Sequence, residues 1–106
     1  MIPESIRIIG YTKENRYKMI DYAVKCISDS GGWVTDHTMY STAIIVINFE
    51  IEAQYVKKLL NMLNNDGLEI TAESMNIAQE LPNHLNEAQK VTELIGSIRI
   101  TFVHHN

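Results

Sequence analysis

The chain has 106 residues, of which 45% are hydrophobic and 21% charged, a composition typical of one folded globular domain and not of a disordered segment. The net charge is −4 and the nine Lys and Arg residues are scattered, which argues against nucleic acid as a direct partner. No apolar run approaches membrane-spanning length and no signal-peptide pattern follows Met1, so we expect a cytoplasmic protein without membrane association.

The first predicted elements are an isoleucine-rich strand over 5–11 and a long helix over 13–30. Thr12 is the expected N-cap of this helix, and Asn15 is an imperfect capping-box partner. The helix is expected to end at the glycine pair 31–32, because a left-handed C-cap is least costly for glycine.

A β-hairpin is predicted next, with one strand over 33–41 and another over 43–51. The second of these is the most concentrated run of β-branched and aromatic residues in the chain, so it is the expected centre of the sheet. Its alternation predicts one buried row, formed by Ile45, Ile47, Phe49 and Ile51. The first strand of the hairpin also alternates, with one row beginning at Trp33 and the other at Val34.

After residue 51 the hydrophobic period changes from two to about 3.6, which predicts a helix over 52–65 before a short strand over 68–71. The elements then follow the order β-α-β-β-α-β, the ferredoxin-like plan, in which helices pack on one face of an antiparallel sheet. The predicted fold class is therefore α+β, a ferredoxin-like βαββαβ sandwich with its core in residues 5–72 and an extra C-terminal strand.

A C-terminal extension over 73–106 lies beyond this plan, within a single domain of 1–106. The pattern is compatible with a short helix over 72–81 and a further helical turn or two over 86–94. The last strand is predicted over 97–103, with three residues facing inward: Ile98, Ile100 and Phe102. This extra strand either extends the sheet or crosses to a partner subunit.

No residue pattern indicates catalysis or a metal centre. Adjacent residues on a strand point to opposite faces, so His104 and His105 cannot chelate one metal together, and Asp36 and His37 cannot act as an acid–base pair. Cys26, the only cysteine, falls within a helical pattern and is expected to be buried. Because the chain carries no nucleophile motif or glycine-rich phosphate loop, we predict a protein that is not an enzyme and has no cofactor.

The turn between the first strand and the first helix is the candidate ligand site. Free N–H groups at a helix start favour an anionic ligand, and this turn is rich in polar side chains. The residues predicted to bind a ligand are Tyr11, Thr12, Asn15 and Arg16. The alternative interpretation of the same residues is an ordinary capped helix entry.

Three features together resemble the ACT domain, a small ligand-sensing module of amino-acid metabolism. They are the isoleucine-rich strand running into a polar turn, the glycine-bounded passage from Ser30 to His37, and the order of elements through 68–71. The likeness covers residues 5–72 and is greatest to the ACT-like repeats of glycine-cleavage-repressor-type proteins. It implies a stand-alone regulatory domain that senses a small molecule, an amino acid, and acts in trans. Amino-acid-binding members often carry an acid-Arg-Pro-Gly type turn, whereas residues 13–17 contain neither proline nor glycine.

A homodimer formed through the sheet is also expected, because helices on one face leave the other face exposed. That face would carry either Trp33 with Met39 or Val34 with Tyr40, and the free edge of the last strand would add a pairing surface. Two alternatives remain at this point. One is a small dimeric enzyme that uses the open face around His37 or Trp33, and the other is a protein–protein interaction module without a ligand.

Overall fold

The computed structural model describes residues 2–103, and its longest strands lie at the centre of one mixed sheet. The elements in chain order are β1 (Ser5–Thr12), α1 (Arg16–Asp29), β2 (Trp33–Met39), β3 (Ile44–Glu52), a 3-10 turn (Ala53–Tyr55), α2 (Val56–Leu63), β4 (Leu68–Ile70), α3 (Ala72–Met75), α4 (Ile77–Glu80), α5 (Glu87–Lys90) and β5 (Glu93–Phe102). The five strands follow the spatial order β2-β3-β5-β1-β4. The α+β class predicted from the sequence is confirmed.

The core lies between one face of the sheet and the two longer helices. On this face the alternate residues of β3 predicted to be buried, Ile45, Ile47, Phe49 and Ile51, are all fully inaccessible. Helix α1 contributes Met19, Ala23, Cys26 and Ile27, and helix α2 contributes Val56, Leu59, Leu60 and Leu63. The burial of Cys26 predicted from the helical pattern is therefore confirmed.

Strand β5 lies inside the sheet, between β3 and β1, and not at an edge. It runs parallel to β1 and antiparallel to β3, and it is paired with both over most of its length. The expectation of a free edge on this strand is therefore wrong. The inward residues Ile98, Ile100 and Phe102 are buried as predicted, and Leu94 extends the same row because the strand begins four residues earlier than expected.

Strand β2 contains a β-bulge between Val34 and Asp36, which shifts the alternation of its side chains. Trp33 is opposite Glu50 and Asp36 is opposite Asn48, so both point away from the helices. Neither expected row, Trp33 with Met39 nor Val34 with Tyr40, therefore lies on one face. Side chains alternate between the two faces on either side of the bulge, but the alternation after the bulge is shifted by one residue relative to the alternation before it.

Helix α1 begins later than predicted, because β1 continues through Thr12 and the N-cap is Asn15. The end of the helix agrees with the prediction. Gly31 adopts a φ of 98°, and its N–H donates to the carbonyl of Ser28 over 3.1 Å. The N–H of Gly32 donates to the carbonyl of Ile27 over 2.8 Å. This paired arrangement is a Schellman motif, which satisfies two carbonyl groups of the last helical turn.

The segment between β4 and β5 closes the edge of β1 that the short strand β4 leaves unpaired. The Ile9 N–H donates to the Ser74 hydroxyl over 2.9 Å, and the Ile9 carbonyl accepts from the Thr71 N–H over 3.0 Å. Beyond α3, the side chains of Ile77 and Leu81 enter the core. Helices α3, α4 and α5 then carry the chain to the opposite end of the sheet, where β5 begins.

Candidate functional site

A groove of about 280 Å³ lies at the end of β1, where the chain turns toward α1. The residues that line it come from this turn, from the start of β4 and from the end of β5: Tyr11, Thr12, Lys13, Glu14, Gly67, Glu69 and Val103. Strand pairing brings these segments together, because Tyr11 is opposite Glu69 on one side and Thr101 on the other.

The base of the groove is held by the hydroxyl group of Thr12, which is 3% exposed. This hydroxyl donates to the carbonyl of Gly67 over 2.8 Å and accepts from the N–H of Glu14 over 3.0 Å. Gly67 has a φ of 92°, and a side chain there would collide with the Glu14 side chain. The two turns that form the groove are thus tied to each other at its base.

The charged groups around the groove are of both signs. Glu14 pairs with Lys18, Oε2 to Nζ at 3.1 Å, on the exposed side of the helix entry. Lys13 and Glu69 form no ion pair within residues 2–103. The groove therefore offers an ammonium group and a carboxylate that are free to interact with a ligand, beside the half-exposed ring of Tyr11.

Of the four residues predicted to bind a ligand, Tyr11 and Thr12 line this groove, whereas Asn15 and Arg16 do not. The Asn15 side-chain oxygen accepts from two N–H groups of the first turn of α1, over 2.9 and 3.2 Å. The Arg16 guanidinium lies 5.6 Å from the centre of the Tyr17 ring. The first-turn N–H groups that were expected to meet a ligand are thus partly satisfied by the cap.

Sequence reasoning missed the other lining residues for different reasons. Lys13 and Glu14 lie within the predicted turn and could have been included on their position alone. Glu69 could have been found from the predicted plan, since β4 alternates and is expected beside β1. Val103 had no usable signal, because its position depends on where β5 enters the sheet.

The face of the sheet opposite the helices, here called the open sheet face, is exposed or half-buried. Its apolar and aromatic residues are Ile9, Tyr11, Trp33, Tyr40, Ile44, Val46 and Ile95. Two polar pairs lie among them: the amide of Asn48 donates to Asp36 over 2.6 Å, and the indole of Trp33 donates to Glu50 over 3.3 Å. Ile95 and Tyr40 are the most exposed, at 62% and 69%.

The alternative enzyme site around His37 or Trp33 is divided between the two faces of β2. His37 is opposite Ile47 and Trp33 is opposite Glu50, so the bulge places their side chains on opposite sides of the sheet. In the part of the chain that the structure describes, no group of three or more His, Cys, Asp or Glu side chains could hold a metal ion. His104 and His105 lie outside the described residues.

The thiol of Cys26 lies in the core beside Tyr22, whose hydroxyl donates to the carbonyl of Met62. Burial raises the pKa of the Cys26 thiol, and burial also raises the pKa of Tyr22. A buried thiol with a raised pKa is a poor nucleophile, so this pair belongs to the packing of α1 against α2.

No family model matches the sequence, and no curated protein or solved structure is significantly similar to it. Within residues 2–103, none of the helices has both the length and the apolar character needed to cross a membrane. The groove and the open sheet face are therefore the surfaces of this protein that bear on its function.

Proposed function

We propose that this protein is a stand-alone, ACT-like regulatory domain that binds an amino acid in the groove at the end of β1. The observation that carries the proposal is the placement of Lys13 and Glu69 around one groove with Tyr11 beside them. A free amino acid carries a carboxylate, an ammonium group and a side chain, and the groove offers a partner for each. In this proposal the protein acts in trans, in the cytoplasm, on a separate target protein.

The roles of the groove residues follow from their charges. Lys13 is the partner of the ligand carboxylate, and Glu69 is the partner of its ammonium group. Glu14 pairs with Lys18 through an exposed ion pair, so a ligand ammonium group competes with Lys18 for this carboxylate. Tyr11 and Val103 supply the apolar surface for the ligand side chain, since both are part-exposed beside the charged groups.

The topology supports the ACT-like part of the proposal. Without β5, the remaining strands would follow the order β2-β3-β1-β4, with neighbours antiparallel and both longer helices on one face. That arrangement is the ferredoxin-like plan. We propose that this protein is a variant of that plan in which the C-terminal extension inserts its strand at the centre.

A two-fold dimer through the open sheet face completes the proposal. A depression of about 390 Å³ on this face is lined by Tyr40, Ile44, Val46 and Arg99. An exposed patch of this kind is typical of a contact surface, and a second copy of the chain is the commonest partner.

The proposal is tested by thermal-shift measurements with the twenty standard amino acids, because a ligand that binds only the folded state raises the melting temperature. We expect at least one amino acid to raise the Tm of the wild-type protein. The Lys13→Met and Glu69→Gln variants should each lose most of this shift. Thr12 and Asn15 are unsuitable for this test, because both side chains have structural hydrogen bonds.

Lys58→Met and Glu93→Gln are matched controls, since both residues are exposed and neither lines the groove. These variants should keep the full shift. If no amino acid changes the Tm, or if the Lys13 and Glu69 variants respond like the wild type, the amino-acid site is wrong. A dimer without a ligand response would then favour the interaction module.

A further inference from the structure

A second groove, of about 430 Å³, lies at the end of the sheet opposite the first groove. One wall is the 3-10 turn after β3 together with the start of α2, and the other wall is the segment 81–90 that leads to β5. Strand β3 is antiparallel to β5, and β5 is parallel to β1. The last residues of β3 and the last residues of β1 therefore lie at opposite ends of the strands. The two grooves are therefore separate sites.

Two lysines and one histidine line this second groove. Lys57 comes from α2, Lys90 from α5 and His84 from the loop between α4 and α5, and the amides of Gln54 and Asn83 also line the groove. No carboxylate lines it, although the chain carries 13 acidic residues and only nine Lys and Arg. The nearest carboxylates lie just outside this lining: Glu87 pairs with Lys90 at 3.2 Å, and Glu52 accepts from the Gln54 amide over 2.6 Å. The groove itself therefore presents ammonium groups to a ligand, which favours an anionic one.

The two lysine amines are available to a ligand. Lys57 has no carboxylate within 4.0 Å among the described residues. Lys90 pairs with Glu87 at 3.2 Å, but the Glu87 side chain is 93% exposed. An exposed pair of this kind contributes little to stability and is screened by salt, so an incoming anion can replace it.

The base of the groove is apolar. Leu81 and Ala53 are 4% and 2% exposed, and Leu85 and Pro82 are half-buried beside them. A cationic rim above an apolar base is suited to a small molecule that combines an anionic group with a flat or apolar body. The volume lies within the range of about 300–1,000 Å³ common for small-molecule sites.

We infer that this groove binds a small organic phosphate, with Lys57 and Lys90 contacting the phosphate oxygens and Leu81 contacting the body of the ligand. Lysine is a common partner of phosphate because its ammonium group acts as a point charge. This inference does not depend on the amino-acid groove, since the two sites share no lining residue.

The experiment is a titration of ¹⁵N-labelled protein with adenosine monophosphate, inorganic phosphate and adenosine, followed by NMR. Adenosine monophosphate is expected to give saturable shifts in the amides of residues 53–57, 81 and 83–90. Inorganic phosphate should shift the same amides at higher concentration, because it lacks the apolar contact. Adenosine should give weak shifts or none, and added salt should weaken binding of both phosphates.

The double variant Lys57→Met, Lys90→Met should bind adenosine monophosphate about tenfold or more weakly than the wild type. Its control is Lys25→Met, Lys58→Met, which changes the net charge equally at two exposed lysines outside the groove.

Equal loss of affinity in both double variants would show non-specific attraction and overturn the inference. Unsaturable shifts, or adenosine binding as tightly as its monophosphate, would overturn it too. If the double variant does not fold, the single Lys57→Met variant decides by the same titration.

Discussion

The ring of Phe49 on β3 occupies the space that a side chain at position 96 on β5 would fill. Phe49 and Gly96 are direct partners in the antiparallel ladder, and Phe49 is fully buried. A Cβ atom on Gly96 would overlap three carbon atoms at the far edge of this ring. The close approach of β5 to β3 therefore requires glycine at this position.

Gly96→Ala should accordingly destabilise the protein by about 1–3 kcal/mol, because an added methyl group in a packed core forces neighbours to move. Urea unfolding of the variant and the wild type measures this loss. The double variant Gly96→Ala, Phe49→Leu should lose less stability than the sum of the two single losses, since leucine lacks the ring atoms that clash. Additive losses in the double variant would contradict the proposed contact.

The N-cap of α1 gives a second prediction. Asn15→Ala should lower the free energy of unfolding by about 1 kcal/mol, because two N–H groups of the first helical turn lose their acceptor. Asn61→Ala, at an exposed position within α2, is the control and should change stability little. Urea unfolding curves of both variants test this; if the two substitutions have equal effects, Asn15 is not the cap.

The buried thiol predicts a loss of stability at alkaline pH. Burial raises the pKa of Cys26 in the folded state, so the unfolded chain releases this proton at a lower pH than the folded one. The stabilisation is complete below the unfolded pKa of about 8.5 and is lost as the pH rises toward the folded value. Tyr22, whose pKa burial also raises, acts in the same direction at higher pH.

Chemical unfolding of the wild type and Cys26→Ala at pH 7 and at alkaline pH measures this effect. The variant lacks the titrating thiol, so the stability difference between the two proteins should be smaller at alkaline pH than at neutral pH. A difference that is the same at both values would show that the thiol does not contribute to the pH dependence.

The open sheet face predicts the behaviour of the proposed dimer in solution. Sedimentation velocity over a wide concentration range should show association of the wild-type protein, and Ile95→Lys should weaken it strongly, because Ile95 is highly exposed on this face. Val24→Lys places the same charge on an exposed position of α1, in the helix layer, and should leave association unchanged. A wild-type protein that stays monomeric to about millimolar concentration would exclude the dimer.

The parts of this structure that the sequence alone determined are those encoded by local periodicity. The buried rows of β3 and β5 and the apolar stripes of α1 and α2 follow from spacings of two and about 3.6 residues, which neighbouring residues specify among themselves. The glycine end of α1 belongs to the same class, since the positive φ of Gly31 is a local conformation that glycine adopts at little cost. The α+β class followed from these local patterns.

Only the tertiary structure decided how the strands are ordered and which residues join Tyr11 and Thr12 around the candidate site. β5 pairs with β1 and β3 across large sequence separations, and its alternating pattern fits a central strand as well as an edge strand. Simple alternation would place Trp33 and Tyr40 on opposite faces of the sheet, whereas the bulge in β2 brings both to the open sheet face. A period-two sequence pattern does not reveal this bulge, because it arises from the pairing of β2 with β3. The groove places Glu69 and Val103 beside Lys13 because three separate strand and turn ends meet there, and such a meeting depends on packing rather than on sequence neighbours.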